Sequence, residues 1–126
     1  MNLADKISNS ELEVMKILWQ ADLPISSVEI RSKLQLAKGW EKSTILTLVR
    51  RLYDKEVITA EKRDVFYYYP NITEAEYTAA QMQEMADKLY KGNVKSLVAA
   101  LCHGGKLNEK DIDELKAYFK VEGQHE

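Results

Sequence analysis

The sequence predicts a mainly α-helical protein with one small β-hairpin, and three observations carry that expectation. Residues 43–53 (Ser-Thr-Ile-Leu-Thr-Leu-Val-Arg-Arg-Leu-Tyr) place Ile45, Leu48, Val49 and Leu52 at i, i+3, i+4 and i+7, one apolar helical stripe. Upstream, Ser8-Asn-Ser-Glu11 and Ser26-Ser-Val-Glu29 are capping-box sequences that open two further helices. Downstream, residues 57–60 and 65–69 are β-branched and aromatic runs on either side of the polar Glu61-Lys-Arg-Asp64.

In chain order, the first helix presents Leu12, Met15, Leu18 and Trp19 inward and ends near Ala21. Leu23-Pro24-Ile25 is a short extended piece, because proline disfavours the helical conformation at the residue before it. The second helix buries Ile30 and Leu34 and stops at Gly39, which takes a left-handed C-terminal position without a Cβ penalty. The third is the stretch 43–53. A hairpin with a basic tip follows, closed by Pro70, with Phe66 and Tyr68 expected in the sheet core on one face and Tyr67 and Tyr69 on the other. Three helices and a hairpin describe a winged helix-turn-helix, assigned here to residues 1–72.

Thr73-Glu-Ala-Glu76 is a third capping box, and its helix carries Ala75, Ala79, Met82, Ala86 and Leu89 at seam spacing. Gly92 interrupts it. Val94, Leu97, Val98 and Leu101 form another stripe, Gly104-Gly105 breaks the chain, and Asn108 caps a last helix with Ile112, Leu115 and Phe119 inward. Residues 73–126 therefore show apolar stripes with little else to bury them. A unit this small seldom sustains itself without staples or a partner, which predicts a helical dimerisation region. Met82, Leu89, Leu97, Val98, Leu101, Ile112, Leu115 and Phe119 are the expected homodimer contacts.

Charge locates the other function. The net charge of the chain is -2, yet residues 38–63 hold seven basic against four acidic side chains. The basic excess is local and modest, so specific contacts must supplement bulk attraction to a nucleic acid. Around the exposed side of residues 43–53, Ser43, Thr47 and Arg50 take the pole opposite the apolar stripe, with Thr44, Leu46 and Arg51 on the flanks. Hydroxyls and guanidinium groups can reach base edges and phosphates together, so Ser43, Thr44, Thr47, Arg50 and Arg51 are the candidate DNA contacts. Lys62 and Arg63 at the hairpin tip join them against a backbone or minor groove.

Other chemistry finds no support in the residues. A single cysteine, Cys102, excludes an internal disulfide framework and fits a reducing compartment. No apolar run approaches a membrane span and the N-terminus lacks a signal-peptide core, so a cytoplasmic protein without membrane insertion is expected. Cys102-His103 makes no metal site without further donors, and a small buried thiol is the simpler reading. No nucleophile-base pair or phosphate-binding loop is present, so neither an enzyme nor a cofactor is expected.

Four stretches together, Ser10-Glu-Leu-Glu-Val-Met-Lys-Ile-Leu-Trp19, Ser43-Thr-Ile-Leu-Thr-Leu-Val-Arg-Arg-Leu52, Phe66-Tyr-Tyr-Tyr-Pro70 and Tyr90-Lys-Gly92 with Ser96-Leu97-Val98, resemble the penicillinase-repressor (BlaI/MecI/CopY) family over nearly the full length. The resemblance implies a dimeric winged-helix repressor of a dyad operator, controlling β-lactam-resistance or related stress or export genes. It places Thr44, Thr47 and Arg51 at DNA-contacting positions, while Ser43 stands where several members have lysine and Leu46 where others carry a longer or basic side chain. The clustered cysteines of the copper-responsive branch are absent. The Asn-Phe bond at which penicillinase-branch members are cut by a membrane sensor protease is replaced by Ala100-Leu101. Two alternatives stay open: a winged-helix protein-interaction module, which the near-neutral charge favours, and a repressor released by a small ligand at the Ala79, Met82 and Met85 surface.

Overall fold

The computed structural model describes residues 3–105, 107–114 and 117, and it divides into two compact units, Met1–Gln81 and Met82–Glu126. In the first, a 3-10 turn at Leu3–Lys6 leads into α1 (Asn9–Gln20), β1 (Ile25–Ser26), α2 (Ser27–Lys38), α3 (Lys42–Asp54), β2 (Ile58–Lys62) and β3 (Phe66–Pro70). Helix α4 (Glu74–Tyr90) starts in this unit and continues into the second, where α5 (Val94–His103) follows and residues 109–114 are again helical.

The caps form as their sequences dictate. Ser8 Oγ accepts from the Glu11 amide at 3.2 Å while Glu11 Oε1 accepts from the Ser8 amide at 2.9 Å. At α2 only half of the expected box is made, Ser26 Oγ accepting from the Glu29 amide. Thr73 and Glu76 bond reciprocally at the start of α4, and Asn108 does the same with Asp111. Gly39 ends α2 at φ 68°, the left-handed conformation that its missing Cβ makes inexpensive.

The core of the first unit gathers one stripe from each element. Val14, Met15 and Leu18 of α1, Ile30 and Leu34 of α2, and Ile45, Leu48, Val49 and Leu52 of α3 are buried with Ile25, Val57, Ile58 and Ile72. Each such side chain is stabilised by about 1.5–3 kcal/mol relative to exposure, so the four from α3 alone fix which way that helix faces. Trp19 and Trp40 pack at the edge of this core. The Trp19 indole donates to the Ile72 carbonyl at 2.9 Å, and its ring lies 5.4 Å from Tyr77 in the first turn of α4.

The sheet corrects the hairpin expectation in two ways. It has three antiparallel strands in the order β1-β3-β2, with Ile25 opposite Tyr68 and Ala60 opposite Tyr68 on the other side. A two-residue strand is too short for period-two alternation to announce it, which is why only a turn-like extended piece is legible at residues 23–25. The strands also run further toward the tip, so Lys62 pairs with Phe66 inside the ladder and the turn is Arg63 to Val65, closed by an Arg63 N–H to Val65 carbonyl bond. Phe66 is not a core residue: it is 47% exposed, because it pairs with Lys62 at the tip end of the ladder and borders an open groove, whereas Tyr68 at mid-strand is half-buried.

In the second unit, Ala86 and Leu97 are the only buried apolar side chains among the described residues. Lys91 and Gly92 both have positive φ, 54° and 83°, and turn the chain from α4 into α5, where Asn93 caps the new helix. Met82, Met85, Leu89, Val94 and Leu101 are exposed, Leu89 by 61%. Val98 and Ile112 are half-buried, and Leu115 and Phe119 lie outside the described residues. Cys102 is half-buried rather than buried.

Candidate nucleic-acid interface

Helix α3 has the strongest segregation of apolar from polar residues in the first unit, and its polar side is open. Ser43, Thr44, Thr47, Arg50 and Arg51 are all exposed. The structure sorts them into two groups. Ser43, Thr44, Thr47 and Arg51 line one shallow concavity on the flank away from the sheet. Arg50 belongs to the other flank, where Leu46, Val49 and Tyr53 of α3 face Ala60, Lys62 and Phe66 across a groove of about 410 Å³. Lys62 thus shares a groove with Arg50, while Arg63 lines neither concavity.

Electrostatics further separate these side chains. Arg51 and Lys62 form no ion pair among the described residues, and neither does Lys42 at the start of α3. Arg50 Nε lies 3.8 Å from Asp54 across one helical turn, with both side chains largely exposed, a contact worth little in water and easily exchanged for a phosphate. Arg63 is more engaged. It sits 3.3 Å from the Glu61 carboxylate and stacks 4.5 Å over the Tyr67 ring, and the Glu61 hydrogen bonds raise its already high pKa. Thr47 Oγ1 donates back to the Ser43 carbonyl at 2.9 Å, which leaves its methyl group and an oxygen lone pair outward.

Two of the cations counted in the local basic excess are spent on the fold. Lys55 Nζ lies 2.7 Å and 2.9 Å from the two Glu11 oxygens and 2.8 Å from the Lys6 carbonyl. Lys38 reaches Glu13 at 2.8 Å and ties α2 to α1. Burial by itself would push the Glu11 carboxyl upward; the Lys55 hydrogen bonds and the Ser8 amide outweigh it and hold Glu11 below the usual carboxylate range. A sequence offers no signal for such pairing, because the partners stand 44 residues apart. Sequence reasoning also passed over Lys42. It is the first residue of α3, preceded by Glu41, an N-cap whose side chain makes no capping bond.

No group of three or more potential metal ligands occurs among the described residues, and no described helix is long and apolar enough to cross a membrane.

Comparison with known proteins places this arrangement. The solution structure of the DNA-binding domain of the repressor BlaI superposes with a TM-score of 0.54 at 37% identity, covering 61% of this chain and 94% of that one. The Bacillus licheniformis BlaI monomeric form, solved in complex with the blaP half-operator, gives 0.50 at 39% identity, over 56% of this chain and 87% of that one. Among full sequences, the penicillinase repressor of Staphylococcus aureus is 38% identical over 112 residues, 88% of each chain. The methicillin resistance regulatory protein MecI of Staphylococcus aureus is 34% identical over 116 residues, 91% of this chain and 94% of its own. The model of the penicillinase repressor family matches residues 7–120, across both compact units. With an open polar helix beside a three-stranded wing and this match along nearly its whole length, the chain belongs to the penicillinase repressor family of transcriptional repressors.

Proposed function

We propose that the protein is a homodimeric, sequence-specific repressor of the penicillinase-repressor type that binds a dyad operator through α3 and the wing. Residues 1–72 serve as the reader and residues 73–126 as the dimerisation region, in a cytoplasmic protein controlling a β-lactam-resistance or related stress or export gene. The observation that carries this reading is the shared concavity of Ser43, Thr44, Thr47 and Arg51, polar and open on a helix whose opposite face is locked into the core. The half-operator complex of the 39% identical Bacillus licheniformis BlaI supports it. Thr44 and Thr47 supply base-edge contacts, Arg51 pairs with guanine or phosphate, and Ser43, Arg50, Lys62 and Arg63 add backbone contacts. Two α3 helices then enter successive major grooves about one helical turn apart.

The homodimer covers Met82, Leu89 and Leu101, which are exposed in the single chain, together with the half-buried Val98 and Ile112. Leu97 is already buried within its own chain and is available to the dimer only as support beneath these contacts. Leu115 and Phe119 extend the same proposal beyond the described residues. Release by a membrane sensor protease cutting near Ala100-Leu101 requires local opening of α5, because that bond is held in helix.

A mobility-shift titration of the full chain tests this function, using duplex with a TACA/TGTA-type dyad and excess competitor DNA. Specific retention at low salt is expected. Uniform retention of all duplexes, or none, would instead favour a protein-interaction module.

A further inference from the structure

The exposed arc of α3 carries one aliphatic side chain among its polar ones. Leu46 lies in the second turn, 44% exposed, with Ser43 and Thr47 beside it and Arg50 one turn on. It lines the same groove as Lys62 and Phe66. The apolar stripe does not need it, since Ile45, Leu48, Val49 and Leu52 already fill the core side. A duplex that meets Arg50 and Lys62 along this groove meets Leu46 as well, since the three line it together.

We infer that Leu46 is a specificity-determining residue that selects a thymine through its C5-methyl group, on the wing side of the base step read by Thr47. This rests on the reading of α3 as the DNA-contacting helix. The chemistry is one of exclusion as much as attraction. Guanine and adenine present N7 acceptors in the major groove, guanine adds O6, and cytosine and adenine present amino donors. A leucine pressed on any of these removes water and returns no hydrogen bond, which costs free energy. Thymine alone offers an apolar group there, and a leucine against it buries a methyl-sized surface. Arg50 and Lys62, on either side of the same groove, hold the backbone while Leu46 makes the contact.

The test removes the methyl from the DNA rather than the leucine from the protein. After in vitro selection of the operator with the full wild-type chain, each thymine is replaced in turn, symmetrically in both half-sites, by deoxyuridine, and affinities are measured by fluorescence anisotropy. One replacement is expected to weaken wild-type binding by about fourfold per half-site, the worth of one buried methyl-sized group, and to leave Leu46→Ala indifferent. Wild-type protein insensitive at every thymine, or Leu46→Ala as sensitive as wild type, would overturn the role of Leu46 while leaving α3 as the reader. A selection that enriches no sequence would overturn the reader assignment and Leu46 with it.

Discussion

The two compact units solve the burial problem differently. In Met1–Gln81, the three helices α1, α2 and α3 bring their stripes to one core with residues of the sheet, and no apolar face of α1 or α3 is left without a neighbour. In Met82–Glu126 the same helical spacing buries only Ala86 and Leu97 among the described residues, while Leu89 stays 61% and Leu101 41% exposed. Periodicity says that a face wants covering; it does not say by what. Where the chain folds back, the cover is intramolecular, and where it does not, the proposed homodimer would supply it.

That contrast breaks most visibly in the second unit. Leu89→Asp with Leu101→Asp is expected to leave the helical signal intact, turn the dimer into a monomer in sedimentation, and lower affinity for a full dyad about a hundredfold or more, because bivalency is lost. Persistence of the dimer would place its contacts elsewhere.

The first unit answers to a different substitution. Lys55→Met leaves the buried Glu11 carboxylate without its cation, at a cost of about 3 kcal/mol. A lowered melting temperature with unchanged oligomeric state would sharpen the division; a change in oligomeric state would blur it. The same pair sets an acid limit. Glu11 is held below its ordinary pKa when folded, so its contribution is complete above the unfolded carboxylate range and is lost as pH falls through the folded value. Denaturant melts between neutral pH and about pH 3 are expected to show a steeper acid loss for wild type than for Glu11→Gln; parallel curves would remove this pair from the acid response.

Arg51→Ala tests the reader itself. It is expected to leave stability within about 0.5 kcal/mol, as for other surface positions, and to reduce the salt slope of operator binding by about one unit. An unchanged slope would take Arg51 off the phosphates. The smallest effect concerns Glu56, whose φ of 64° puts a non-glycine residue in the left-handed region. Glu56→Gly should relieve that strain, offset in part by glycine's larger entropy in the unfolded chain, for a net gain below about 1 kcal/mol. A loss of stability on chemical denaturation would contradict it.

Local signals were legible and long-range ones were not. The boxes at Ser8 and Thr73, the stop at Gly39 and the buried stripe of α3 all depend on residues within one or two turns of one another, so the sequence displays them. The pairing of Ile25 with Tyr68, the exposure of Phe66 and the capture of Lys55 by Glu11 depend on distant segments meeting, and nothing local marks them. Most of the candidate contacts could be read because a helix turns spacing into a face. That Arg63 is occupied by Glu61 and Tyr67 could not.

The end of α3 has a larger consequence than its size suggests. Val57 N–H bonds the Leu52 carbonyl and Glu56 N–H the Tyr53 carbonyl, the two bonds of a Schellman motif, here built on glutamate where glycine is usual. Asn71, the residue after β3, then clamps the same three-residue junction, its amide donating to the Val57 carbonyl and its side chain to the Glu56 carbonyl. Helix and wing are thereby welded with no slack backbone to act as a hinge. In the proposed dimer, we expect any inducing signal to end repression by severing or parting the copies, since bending the tool that grips the duplex would mean melting its joint first.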